Sequence, residues 1–243
     1  MLLLAIDTSG RQGSIALARV EEQAEGQVDE RIKESDVSSE MEIIEIMPLL
    51  GGTFSAQLIP QISTLISSNG YDKGAIGAFA VVSGPGSFTG LRVGLAAVKA
   101  LAETLIKPIA AVSMLEVCAV ASGIQGRVVA ALDAGRGDVF LGEYEISSTA
   151  PAQATSINPE QLMSRSDFFE RAKGWHVVTP DPAISEAAQA VSVRVSTIAP
   201  ISAADVARLG WSKIKSGQTT TPERLEANYI RRTDAEILEK SRS

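Results

Sequence analysis

A single cysteine and a single histidine stand among 243 residues, and each scarcity excludes something. Cys118 by itself cannot close an intrachain disulfide, which fits a reducing compartment. It lies in the apolar run LEVCAV and reads as a small core residue rather than a nucleophile. His176, in WHVV, has no second histidine with which to build a metal pair and reads as structural. Basic excess is missing as well. The formal net charge is −7, so the chain lacks the footprint of a protein that grips nucleic acid unaided. If RNA is a partner, another subunit does most of the gripping. No apolar run reaches the ~20 residues that span a bilayer, so no membrane partner is expected. The opening MLLLAIDTSG has no basic flank and meets Asp7 early, so it is expected to be a buried strand rather than a leader.

What is present is the material of one large or two small domains: 45% hydrophobic and 21% charged residues, enough to bury a core. Strands are expected at Leu2 to Asp7, Ser14 to Val20, Met41 to Leu49, Ala75 to Ser83 and in PIAAVS. Between them, Glu21 to Ser39 is polar and highly charged and reads as a long exposed hairpin or loop. Helical spacing of Phe54, Leu58, Ile62, Leu65 and Ile66 predicts a helix that starts near Pro60 or bends there. A further helix is expected from Met114 to Ser122. In the second half, Asn158 to Lys173 reads as a helix, WHVVTP as a strand, Pro182 to Ala190 as a helix and VSVRVSTI as a strand. A last helix is expected from Ala203 to Lys215.

An internal repeat sets the architecture. LLAIDTSGRQGSIALA and VAALDAGRGDVFLGEY each give an apolar strand ending in Asp, a turn with Gly and Arg, and a second apolar strand. The two aspartates, Asp7 and Asp133, stand about half a chain apart. A repeat at that period predicts two similar α/β halves facing each other, divided here as residues 1–112 and 113–243. Hairpins of this kind resemble those of the actin, sugar-kinase and heat-shock-chaperone ATPases. There the Gly-rich turn faces phosphate and the carboxylate holds metal-bound water. The residues so placed are Asp7, Thr8 and Ser9 in one turn and Asp133, Gly135 and Arg136 in the other. Ser9 departs from the Asp-x-Gly pattern, whereas Gly135 keeps it. An alternative is that both aspartates only cap turns.

The stretch SGPGSFTGLRVGLAAVKAL, Ser83 to Leu101, looks at first like a nucleotide loop. The position at which a Walker A motif needs its second Gly holds Thr89 or Leu91. A dinucleotide fingerprint fails because Gly90 comes one residue late, and a G-x-S-x-G elbow fails because Ser87 directly follows Gly86. A helix start does fit, with Ser87 or Thr89 as cap and an N-terminus able to receive an anion. The helix that follows is apolar on most of its circumference, through Leu91, Leu95, Val98, Leu101, Ala102 and Leu105. Its small residues Gly94, Ala96, Ala97 and Ala100 would let a second helix come close. A surface helix needs only one apolar stripe, so this one is expected to be buried on two sides. Arg92 in the first turn opposes the helix dipole and is a candidate for an anion or a partner carboxylate.

LLLAIDTS, SGPGSFTGLRVGLAAVKALA, ALDAGRGDVFLGEY and NYIRR, in this order and spacing, resemble the bacterial TsaB (YeaZ) family. The resemblance implies an α/β actin-like ATPase fold and a non-catalytic paralogue of TsaD. With TsaD and the small ATPase TsaE, such a protein helps make N6-threonylcarbamoyladenosine in tRNA, and TsaD carries out the transfer. The implied partners are TsaD in a heterodimer, TsaE, a second copy when the chain is alone, and tRNA only through the complex, all in the cytoplasm. The implied interface lies on helices of the amino-terminal half, with Phe54, Leu58, Ile62, Leu91, Arg92, Gly94, Leu95, Ala97, Val98 and Leu101 as candidates. No cofactor or metal is implied for this chain itself, ATP or ADP and Mg²⁺ belonging to the complex. The H-x-x-x-H pair that holds the metal of the catalytic relative cannot be formed with one histidine, and Phe54 falls where family members often carry a His. A competing reading is a self-sufficient ATPase or small-molecule kinase using Asp7 and Asp133. A third, a peptidase, is poorly served by one His and one Cys.

Overall fold

A computed structural model describes residues 1–21, 41–149 and 152–230. The charged segment, apart from Glu21, and the last two residues of NYIRR lie outside the described residues. The first half builds β1 (Leu2–Asp7), β2 (Gly13–Val20), β3 (Met41–Leu49), α1 (Phe54–Ser68), β4 (Ile76–Gly84), α2 (Phe88–Leu105) and β5 (Ile109–Ser113). The chain continues through α3 (Met114–Ala121), β6 (Gly126–Gly135), β7 (Asp138–Ile146), β8 (Ala154–Ser164), α4 (Arg165–Arg171), β9 (His176–Thr179), α5 (Pro182–Ala190), β10 (Val195–Thr197) and α6 (Ala203–Lys215).

The duplication read from the two hairpins extends to both sheets. The first sheet runs β3-β2-β1-β4-β5 and the second β8-β7-β6-β9-β10, one order repeated. In each, an antiparallel hairpin is followed by an antiparallel edge strand on one side and two parallel strands on the other. All six residues of β1 are buried, as expected of a central strand covered on both faces. The register shows what covers it. Ile6 approaches Gly94 of α2, while Ala80, the parallel neighbour of Ala5, meets Gly210 of α6. Residues 5 and 6 of a strand point to opposite faces, so α1 and α2 lie on one side and α6 on the other. The last helix therefore returns to the first sheet, where the Ala203 N–H donates to Ser14 Oγ at 2.8 Å.

Strand β6 alternates in the same way. Val128 and Ala130 join the large core shared with the first half, and Val129 and Ala131 join a smaller one with Phe168 and Ile184 of α4 and α5. Helix α3 packs on β6 and β7 and also touches β4 and β5, filling the seam between the sheets. Cys118 is fully buried on it, and burial pushes its thiol far up.

Two expectations need correction. The span Asn158 to Lys173 is mostly strand: β8 holds residues 154–164 and the helix shrinks to α4. Pairing with β7 overrides local preference, and Pro159 is tolerated because β8 is an edge strand with no outer neighbour needing its N–H. The true helix start is Ser164, whose Oγ accepts from Asp167 N–H at 3.2 Å. Helix α1 begins at Phe54 and runs through Pro60, which rules out a start near Pro60 but not the alternative of a bend there.

Candidate functional site

The two hairpin turns face each other across an open cleft of about 900 Å³. Its walls are Ser9 to Arg11 of the first turn, Pro85 to Leu91 at the start of α2, and Asp133 to Arg136 of the second turn, with Asn228 to Ile230 along one edge. The sequence-predicted phosphate-facing residues are thus brought near one another, but not equally. Asp7 is 5% exposed and does not line the cleft. Its Oδ1 accepts from the Ser9 N–H at 2.8 Å and from Ser9 Oγ at 2.7 Å. Burial raises its carboxyl above the usual range against the opposing pull of those two bonds. Thr8 is buried and donates to Gly90 O at 2.8 Å. Asp133 does reach the cleft: its carboxylate is 45% exposed, 3.5 Å from Arg165, and its N–H donates to Asp181 Oδ2 at 2.7 Å. Arg136 closes the turn with φ of 57°, between Gly135 and Gly137 in the same left-handed region.

The glycines of SGPGSFTG serve close approach of backbone to backbone. A Cβ on Gly86 would stand 2.5 Å from Ser9 O, and one on Gly90 would stand 2.0 Å from Thr8 O. The Ser87 N–H donates to Ser9 O at 2.7 Å. The loop is pressed onto the first hairpin turn, the place a phosphate would need in an active hairpin. Ser87 caps α2, accepting from the Gly90 N–H at 3.3 Å. What remains open to an anion is the first turn of α2 with the exposed Arg11 and Arg136 beside it.

Helix α2 buries a single stripe within the chain: Gly90, Leu91, Gly94, Leu95, Val98 and Ala102. Of the predicted interface residues, Leu91, Gly94, Leu95 and Val98 are therefore core, as are Phe54, Leu58 and Ile62 of α1. Ala97 and Leu101 are half-buried and Arg92 is exposed. Gly94 makes room for Thr8, whose Oγ1 would lie 2.4 Å from a Cβ, and not for a second helix. The side left uncovered carries Ala96 and Ala100 on α2, with Ala56 and Ile59 on the adjoining α1. Ile59 is 52% exposed. Arg92 faces aromatic groups rather than an anion. Its guanidinium lies 3.7 Å from the Phe88 ring centroid, and its Nε donates to Tyr229 OH at 3.1 Å. Tyr229 was out of reach of sequence reading, since 137 residues separate it from Arg92; Phe88, four residues before Arg92 on α2, was missed although the i, i+4 spacing was the available signal. His176 sits on β9 beside Ser196 Oγ at 2.9 Å, away from the cleft-lining residues.

Two α/β halves of identical strand order, with paired hairpin turns across a cleft, define the actin-like ATPase fold. YeaZ from Pseudomonas aeruginosa shares it, with a TM-score of 0.69 over 94% of this chain and 99% of that one, at 24% identity. The family model for TsaD, tRNA N6-adenosine threonylcarbamoyltransferase, matches residues 48–211. The tRNA threonylcarbamoyladenosine biosynthesis protein TsaB of Bacillus subtilis (strain 168) is 31% identical over 175 residues, 71% of this chain and 66% of that protein. The protein of the same name from Escherichia coli (strain K12) is 34% identical over 92 residues, 37% of this chain and 40% of that one. This chain belongs to the TsaB (YeaZ) family. The matched stretches span 66% and 40% of the length of these two curated relatives.

Proposed function

We propose that this chain is a non-catalytic subunit in the formation of N6-threonylcarbamoyladenosine in tRNA, supporting the catalytic TsaD subunit together with TsaE in the cytoplasm. The observation that carries this is the uncovered face of α1 and α2. The exposed Ile59 of α1 with the exposed Ala56, Ala96 and Ala100 suits close packing of a partner helix. The names of the curated relatives supply the pathway. The state of the cleft agrees with a supporting role: Asp7 is turned into the core, and the glycine loop lies on the first hairpin turn. ATP or ADP with Mg²⁺ then belongs to the assembled complex, and tRNA is reached through it. A second copy uses the same face when TsaD is absent.

Ala96→Arg tests this directly. Ala96 is exposed, so the fold should survive, whereas an arginine at the centre of a helix–helix contact costs several kcal/mol through desolvation. Co-purification with TsaD should fall at least tenfold, with thermal unfolding unchanged. Retention at the wild-type level would sink the docking face. The competing ATPase reading predicts that the isolated chain binds ATP and Mg²⁺ in calorimetry and loses binding in Asp133→Ala.

A further inference from the structure

The described residues of NYIRR, Asn228 to Ile230, are not among those of the docking face, yet they touch three distant elements. After α6 the chain runs back along the first sheet. The Thr220 N–H donates to Ile109 O at 2.8 Å, pairing with the outer edge of β5, and Leu225 is buried at 1% exposure. The Asn228 N–H donates to Ser83 O at 2.8 Å, near the end of β4. Its Nδ2 donates to Glu160 Oε2 at 2.7 Å, on β8 of the second sheet. The other oxygen of Glu160 accepts from Tyr144 OH at 2.5 Å and from Ser113 Oγ. One residue on, the Tyr229 ring lies 4.8 Å from that of Phe88, and its hydroxyl accepts from Arg92. Gly84, with φ of 143°, lets Asn228 O approach to 2.5 Å from where a Cβ would be.

Separately these contacts are small. Together they anchor the adjacent pair Asn228 and Tyr229 at four points, Ser83, Glu160, Phe88 and Arg92, so the ordering entropy of the pair is lost once while every contact is gained. The bond to Glu160 is charge-assisted and stronger than a neutral one. None of the hydrogen bonds of Glu160 described above reaches α2, yet through Asn228 and Tyr229 it is tied to the first turn of that helix.

We propose that residues 220–230 form a strap, with Asn228 and Tyr229 as positioning residues that hold the first turn of α2 in a fixed relation to the second sheet. The strap thereby sets the mouth of the cleft and the amino-terminal end of the docking helix. The functional consequence rests on the docking reading, but the strap is testable in the chain alone.

Asn228→Asp places a carboxylate against Glu160 without changing side-chain size. Asn228 is exposed, so the variant should fold. Amide hydrogen exchange should rise roughly tenfold both in residues 219–230 and in residues 88–92. The double variant Asn228→Asp with Glu160→Gln restores a donor–acceptor pair and should bring both segments back towards wild-type rates. If exchange in residues 88–92 does not change in the single variant, or the double variant is no closer to wild type, the strap does not position α2. That result would leave the docking reading standing, since co-purification of Ala96→Arg tests it separately.

Discussion

Asp7 sits at the carboxyl end of β1 with its carboxyl turned into the core, held by both donors of Ser9. Because burial raises its pKa, the folded chain binds that proton more readily than the unfolded chain. The stability this group confers is present in full below the ordinary carboxylate range and is lost as the pH rises through the raised value. Asn in its place can still accept from Ser9 through Oδ1 but does not titrate. Asp7→Asn should therefore gain on wild type as pH rises from about 4 to about 8. Urea midpoints at several pH values check this, and a difference that is flat or shrinks with pH contradicts the assignment. The aspartate and the hairpin were legible in the sequence. That the carboxyl is buried and bonded to Ser9 instead of lining the cleft was not. The same holds for Gly90 and Gly94. Their smallness was plain, but the neighbour requiring it is Thr8, just past the end of β1, a contact across more than 80 residues.

At the scale of elements, most strands and helices followed from periodicity because local pattern and tertiary demand agree there. They disagree in β8, where residues with no strong strand pattern become an edge strand because β7 needs a partner. The capping serine at Ser164, followed by Asp167, was the available signal for the true start of α4. Helix α1 shows a milder conflict. Pro60 lies within it, lacks an N–H and crowds the preceding turn. It is exposed, so replacing it leaves the core alone. Pro60→Ala should stabilise the chain by about 1–3 kcal/mol, read as a higher midpoint in urea. Destabilisation would mean that the packing of α1 depends on Pro60, and would overturn this expectation. Helix α2 was expected to be covered on two sides. Among the described residues one side is covered, with the stripe from Gly90 to Ala102, and the alanines of the other side are what the docking reading uses.

The whole molecule is a duplicated sheet pair closed by its own carboxyl-terminal chain. Leu225 is the buried anchor of that closure, and Leu225→Ala should cost about 2–4 kcal/mol, measured by chemical denaturation. A loss below about 1 kcal/mol would show that the strap is not packed as described. What the sequence determined by itself is the fold class, the twofold repeat, nearly all elements and the family. These rest on periodicity and on motifs whose members are close in the chain. What only the tertiary structure decided is which distant residues meet. It turned Asp7 inward, laid the glycine loop on the first hairpin turn, returned α6 to the first sheet and brought Tyr229 onto Arg92. Apart from the local bonds from Ser9 to Asp7, each outcome depends on contacts between residues far apart in the chain, and composition and spacing carry no record of such contacts.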